Sequence, residues 1–590
     1  MDKREIIRAN RKYYRRFYRW VGISAALCVA VLAGSLVVGD SVRRSLRNRV
    51  RDRLADTRSA VVAADGFFGV SALQELGLPA SSRAVLLSDG FVSRGGRLVP
   101  VMVWGVDALP DGTPLPPGQG AVNAELAKEI DPQADPSLVL RLPNEGLVPS
   151  SSLFVTGRYA TSLRLECRQT LTAAQGGNLS LKNEQVLPYN VFVNRGELCE
   201  LLGTGDKANL ILTPADVRPG DLCALSAGTL GLRAERAGDT DLVEADGVFL
   251  RGNVLDKLCA AAPEANRCYS YLVNTIAAGA GEIPYSFATA MDCFEGRELP
   301  RDGALLSDYA ARRLGVGVSD SIRVSYYVSD AFKQLSERTQ SFRVTGIVPL
   351  SRLEADGRLS ADYPGLADAA SCSQWESDLP IDMDRIRPED ERYWSDHHAT
   401  PKLILPYATM REAWSNTWGD ATQLRVPAGT APLAAVRAED FGLTVVQPRE
   451  QALLNAAGGV DFGGLFLALG FFIIAAALLL IYNPLSELYF RRGDELALYR
   501  TLGYSRKGLS RLLLREALPA VGWGAVAGLV AAVLYAGLVI FLLGNVWRGA
   551  THTDGFVLAL RPAALLGGLA AGAVLAAGVL RLAVHRAVRA

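Results

Sequence analysis

Uncharged apolar runs divide this chain. Val21–Gly39, Phe462–Tyr482, Ala517–Trp547 and Pro562–Leu580 contain no Asp, Glu, Lys or Arg. Each has a length suited to the roughly 20 residues with which an α-helix crosses a bilayer core. They predict four transmembrane helices, at 21–39, 462–482, 515–547 and 562–580, and no other uncharged apolar run reaches spanning length.

The charges beside these runs predict their orientation. Lys3, Arg4, Arg8, Arg11, Lys12, Arg15, Arg16 and Arg19 precede the first run, and Arg491, Arg492, Arg500, Arg506, Lys507 and Arg511 lie between the second and third. Arg581, Arg586 and Arg589 follow the fourth, whereas the outer loop 548–561 carries only Arg548 and Arg561. Lys and Arg collect on the cytoplasmic side in short flanking segments, so both termini (1–20 and 581–590) and the 483–514 loop are expected in the cytoplasm. The basic cluster Arg43 to Arg58 opposes this, but long translocated domains largely escape the rule. A cleaved secretory signal is the alternative for 21–39, and the run is longer than a typical apolar core of about 7–15 residues.

Two basic stretches have helical periodicity. Ile6, Ile7, Tyr13, Tyr14, Phe17 and Val21 recur at roughly helical spacing among basic residues, which suits either a helix at the headgroup level or a plain positive flank. Val42, Leu46, Val50 and Leu54 stand four apart, predicting a helical stalk over 40–58 or an ordinary solvated face.

Roughly 420 residues separate the first two spans, enough for two substantial cores. Apolar runs at Arg83–Leu87, Leu98–Val103, Ser321–Tyr327 and Phe342–Ile347 read as strands, and Ala121–Ile130 and Leu305–Leu314 as helices. The expected fold is thus an α-helical membrane protein with four transmembrane helices and a large mixed α/β extracytoplasmic domain over 59–455. Internal likenesses suggest that this domain is duplicated, with units near 60–215 and 216–430. Gly120–Ala127 resembles Gly303–Ala310, Ser152–Gly157 resembles Ser341–Gly346, and Val191–Val193 resembles Leu403–Leu405, all in the same order. Coincidence among common strand and turn patterns is the alternative.

Charge and motifs narrow the function. A net charge of +1 over 590 residues gives no electrostatic support for a nucleic-acid partner. The chain has no phosphate-binding Gly-x-x-x-x-Gly-Lys-Ser/Thr loop, no Gly-x-Ser-x-Gly elbow and no His-Glu-x-x-His pair. Catalytic, cofactor-binding and metal residues are therefore not expected; Asp396-His397-His398 is weighed as a metal site against a structural segment before the strand Lys402–Leu405. Seven of the eight cysteines, Cys167, Cys199, Cys223, Cys259, Cys268, Cys293 and Cys372, lie beyond the first span, and Cys259–Cys268 is the one close pair to test as a bridge.

The 483–514 loop carries a family resemblance. Arg492, Glu495, Arg500 and Gly503 fill an Arg-x-x-Glu-x-x-x-x-Arg-x-x-Gly pattern, and Arg515-Glu-Ala-Leu518 opens the third span. With the order of span, large domain and three further spans, the chain resembles the FtsX-like permeases of ABC transporters, the MacB and LolC/LolE group, as a variant with an enlarged ectodomain. The ectodomain adds Ala304–Gly315, Asp320-Ser-Ile322 and Phe342–Ile347, similar to a MacB-type periplasmic core.

The resemblance implies a permease subunit of the bacterial inner membrane that is not itself an enzyme. ATP and magnesium would be held by a separate ATP-binding subunit seated on a coupling helix near Leu496–Lys507. Arg492, Glu495, Arg500, Gly503 and Arg506 are the expected coupling residues, with ordinary solvation as the other reading of the charged ones. A second permease chain, identical or related, would complete the pair. Gly524, Gly528, Gly568 and Gly572 are expected to let helices approach closely, within one chain or across a dimer. The expected function is ATP-driven mechanotransmission to the ectodomain for export or extraction of a hydrophobic or envelope substrate. The alternative is FtsX-like signalling to an extracytoplasmic partner such as a cell-wall hydrolase.

Overall fold

The computed structural model describes residues 3–589 apart from 55, 95, 144–159, 183–186, 330–334, 356–357, 364–365, 367–368, 376–378, 417, 459–461 and 547–555. The chain forms two compact units: Met1–Leu54 with Ser180–Leu187 and Arg449–Ala590, and Ala55–Leu179 with Pro188–Pro448.

The first unit is helical. Its main elements are α1 (Lys3–Tyr13), α2 (Arg15–Leu54), α3 (Phe462–Arg491), α4 (Gly493–Thr501), α5 (Arg506–Asn545) and α6 (Pro562–Arg589). Of these, α2, α3, α5 and α6 are long and apolar enough to cross a membrane. The helix begun in the first apolar run continues without a break to Leu54, because Val42, Val50 and Leu54 keep the apolar stripe buried.

Small residues make α2 the centre of this bundle. The most apolar window of α2 is 78% buried, against 22% in α3 and 28% in both α5 and α6. A Cβ on Gly524 would lie 2.2 Å from the Gly22 carbonyl oxygen, and one on Gly568 would lie 2.3 Å from Ala33 Cα. Gly528 likewise faces Ala26 and Val29, and Gly572 faces Val29. All four predicted packing glycines therefore serve contacts with α2 inside one chain, where apolar surroundings leave close packing to hold helices together. Large side chains point the other way: Phe472, Leu479, Val530, Leu534 and Val574 are exposed. Where the chain leaves helical form before α6, Ser41 and Ser45 hydroxyls accept from the Ala559 and Val557 amides at 2.9 and 3.0 Å. These bonds satisfy backbone donors that an apolar surrounding would leave unpaired.

The second unit is mostly β and corrects the expected mixed α/β domain. Twelve strands make two closed sheets of six. The first holds β1 (Arg83–Arg94), β2 (Arg97–Val106), β3 (Gln119–Asn123), β4 (Ser137–Pro143), β5 (Ala160–Leu171) and β6 (Asn190–Asn194). The second holds β7 (Asn266–Ala278), β8 (Gly281–Met291), β9 (Gly303–Ser307), β10 (Ser321–Ser329), β11 (Leu335–Val348) and β12 (Leu403–Pro406). The order β1-β2-β6-β3-β5-β4 closes through β4 on β1, and β7-β8-β12-β9-β11-β10 closes through β10 on β7. Directions also correspond: β2 with β6, β3 with β5, β8 with β12 and β9 with β11 are parallel, and the other neighbours antiparallel. Even the irregularity recurs, between Gly120 and Ala121 in one barrel and Ala304 and Leu305 in the other.

Strand burial explains the shift from helix to sheet. Ala121, Val122 and Asn123 are all buried in β3, and helix begins only at Ala124, where the Asn123 side chain accepts from the Leu126 amide. Ser307 does the same for Ala310 at the start of Asp308–Leu314. Both predicted helices therefore begin as strands, and their N-caps set the change. These positions align Gly120 with Ala304, one residue away from the likeness read in the sequence. Ser152–Gly157 lies outside the described residues; β5, at Arg164–Gln169, takes the place corresponding to Ser341–Gly346. Further strands extend each sheet, and Ser59–Ala63 pairs with Leu443–Val446 from the far end of this unit. Cys259 and Cys268 are not joined by a disulfide.

Replacing Gly568 by Leu should destabilise the helical unit by about 1–3 kcal/mol through overpacking against α2. The same change at Gly567, where a Cβ meets nothing within 4 Å, should leave it unchanged. Thermal unfolding of the detergent-solubilised variants measures the difference.

Candidate functional site

The charged turn between α3 and α4 folds inward. Arg492 occupies the N-cap position of α4 and is 1% exposed, among the largest fully buried side chains of the described residues. Its Nε and Nη2 donate to Glu495 Oε2 and Oε1 at 2.8 and 2.9 Å, a bidentate fork. Its Nη1 donates to Glu516 Oε2 at 2.6 Å, and Glu516, on α5, is 0% exposed.

Two carboxylates around one guanidinium leave an excess negative charge. Neutral donors from α1, α2 and α4 share it. Asn10 Nδ2 donates to Glu516 Oε1 at 2.8 Å, and the Tyr18 hydroxyl to Glu516 Oε2 at 3.1 Å. The Tyr499 and Tyr14 hydroxyls donate to Glu495 at 3.2 and 3.4 Å, and Arg492 lies over the Tyr14 ring at 4.8 Å. One polar cluster thus ties together α1, α2, the α3–α4 junction and α5. An apolar layer of Val21, Leu485, Leu488, Leu513, Leu580 and Val584 belongs to the core that packs with Tyr18 and Leu496.

Electrostatics reinforce the arrangement. Burial pushes the Glu495 carboxyl upward, but the Arg492 fork outweighs it and holds Glu495 below its ordinary value of 4.5. Burial likewise opposes the charge on Arg492, and the hydrogen bonds and charges of Glu495 and Glu516 raise its pKa overall.

The expected coupling residues separate into two groups. Arg492 and Glu495 face the interior of the helical unit, where both join the buried cluster. Arg500 donates through Nη2 to the Val588 carbonyl oxygen near the end of α6, where a cation satisfies a terminal helix acceptor. Gly503 ends α4: its φ is +89°, its amide donates to Arg500 O, and Tyr504 N donates to Tyr499 O. This double bond pattern needs a left-handed residue, which glycine adopts without strain. The helix expected near Leu496–Lys507 therefore runs from Gly493 to Thr501. Arg506 and Lys507 instead begin α5, capped by Ser505.

The outward surface of α4 is apolar with charged borders. Leu498 is 58% exposed, Leu502 just beyond it 67% and Phe490 87%. Asp494, Arg491, Arg506 and Lys507 are exposed beside them. Sequence reasoning missed Glu516, Asn10, Tyr14 and Tyr18 as members of the buried cluster. A carboxylate at the very edge of an apolar run was the available signal, because such a residue needs a partner.

These features are those of a helical membrane protein in which α4 stands apart from the helices long and apolar enough to span. Residues 467–590 match the family model described as FtsX-like permease C-terminal. The match supports the FtsX-like permease family and covers most of α3 together with α4, α5 and α6. FtsX-like permeases generally work with an ABC ATPase partner. No curated protein matches the chain.

Loss of the central cation should cost more than loss of one carboxylate. Arg492→Met leaves two carboxylates together and should destabilise the helical unit by about 3–5 kcal/mol, whereas Glu516→Gln leaves the Arg492–Glu495 pair and should cost less. Thermal unfolding of both variants in one detergent tests the order, and the reverse order contradicts it. Because the Glu495 pKa is lowered on folding, its stabilisation is present above pH 4.5 and lost as pH falls through the folded value. The advantage of wild type over Glu495→Gln should therefore shrink below pH 4.5 in a melting series.

Proposed function

We propose that the chain is the permease subunit of an ABC transporter and that a separate ATP-binding subunit docks on the outward face of α4. The observation that carries this reading is the two-sidedness of α4. Its inner side is tied through Arg492, Glu495 and Glu516 to α1, α2 and α5, while Leu498 and Leu502 remain exposed on the other. A partner that pushes on α4 would move the helices joined to it, which makes the helical unit a lever with no chemistry of its own.

The direction of work follows from connectivity. In sequence the β-rich unit begins directly after the end of α2, and in this reading a displacement of α2 is carried into that unit through the backbone. In this reading the β-rich unit lies outside the cytoplasmic membrane and the α1 and α6 ends lie in the cytoplasm, in agreement with the basic flanks. ATP turnover belongs to the partner, and two permease chains pair around two ATPases. The work done outside is export or extraction of a hydrophobic or envelope substrate.

Leu498→Glu and Leu502→Glu test the docking face without touching the buried cluster. Each should lower the amount of ATPase that co-purifies with the tagged chain by at least about tenfold, since a charge in a desolvated contact costs more than 1.4 kcal/mol. Melting temperature should stay near wild type. Undiminished ATPase recovery from both variants, or no ATPase with the wild-type chain, would overturn the proposal.

A further inference from the structure

Beside the buried cluster lies an open groove of about 640 Å³ between the N-terminal helices and α5. Arg8, Arg11 and Lys12 of α1 and Arg15 and Arg19 of α2 line it, and no acidic side chain does. None of the five is paired with a carboxylate among the described residues. The remaining wall is largely apolar: Pro519, Ala520 and the exposed indole of Trp523, with Tyr18 at the base.

We propose that this groove binds one anionic phospholipid, with its phosphate among the five cations and its acyl chains running along Pro519 and Trp523. Charge and position carry the argument. Five unpaired cations in one concave surface repel one another unless an anion sits between them. A soluble phosphate would satisfy the charge but leave Trp523 and Pro519 unused. The groove also lies at the end of the spanning helices that carries the basic flank, where anionic headgroups and interfacial tryptophans meet. Trp20, exposed on α2, adds a second aromatic residue at this level.

Tyr18 links the groove to the lever. It lines the groove and donates to Glu516 within the buried cluster. A bound lipid covers the open side of Tyr18 and supports the same joint through which α4 moves α2. The proposal rests on the membrane reading but not on the ATPase.

The full chain, purified in mild detergent, should be titrated with phosphatidylglycerol, phosphatidylcholine and inorganic phosphate and followed by native mass spectrometry. Phosphatidylglycerol is expected to bind at least about tenfold better than phosphatidylcholine, and to lose about tenfold or more in Arg11→Gln/Arg15→Gln/Arg19→Gln. Arg8→Gln/Lys12→Gln, confined to α1, should give an intermediate loss if the triple variant folds poorly. The matched triple Arg44→Gln/Arg47→Gln/Arg51→Gln, towards the far end of α2, should bind as wild type. Equal affinity for the two lipids, or equal loss in both triples, would overturn the site. Displacement of phosphatidylglycerol by millimolar inorganic phosphate would overturn the lipid as its occupant and indicate a soluble anion. ATPase recovery from the same preparations separates failure of this inference from failure of the docking proposal.

Discussion

A guanidinium taken out of water must find an acceptor at each nitrogen and a countercharge, or it destabilises the fold that buries it. Arg492 satisfies this condition by drawing together residues far apart in sequence, with Glu495 in its own turn and Glu516 in the following helix. The excess negative charge then requires neutral donors, which arrive from the N-terminal end as Asn10, Tyr14 and Tyr18. The placement of α1, the entry into α2, the α3–α4 turn and the start of α5 thus follow from one electrostatic requirement. A partly formed cluster would be worse than an apolar contact, so the joint has one favoured geometry.

The bundle supplies the second constraint. Glycines on α5 and α6 bring their backbones against α2, and the apolar residues left outside face the surrounding medium. A helix enclosed on several sides moves only with its neighbours, and α2 is also the helix after which the sequence enters the β-rich unit. The buried charge cluster and the small-residue contacts act on the same helix from one end and along its length. Under the proposed function, these contacts make α2 the helix that receives a force applied at α4.

Legibility in the sequence followed the strength of each physical signal. The four long apolar helices were plain because uncharged runs of that length have few other uses, and the Val42–Leu54 stripe already pointed to helix beyond the first run; the start of α5 was less plain, since the helix begins at Arg506 within the charged loop. Gly503 was recognisable in the loop pattern, yet its role as the left-handed end of α4 moved Arg506 and Lys507 into another helix. Arg492 and Glu495 were found as members of the loop pattern and expected to couple, but not as an ion pair, because exposed and buried charges look alike without the partner. Glu516 supplied that partner and lay hidden at the margin of an apolar run. In the β-rich unit, Ala121–Asn123 was read as helix, since a short buried run has no period that separates strand from helix.

The buried cluster predicts that α4 and α2 move as one body. Pulsed electron paramagnetic resonance on the chain assembled with its ATPase tests it, using spin labels on non-natural amino acids at the exposed positions Arg16 and Thr501. A narrow distance distribution that is unchanged between nucleotide-free and ATP-bound states, and that broadens in Arg492→Met, is the predicted result. A wild-type distance that shifts with nucleotide would contradict the account, because α4 would then move without carrying α2.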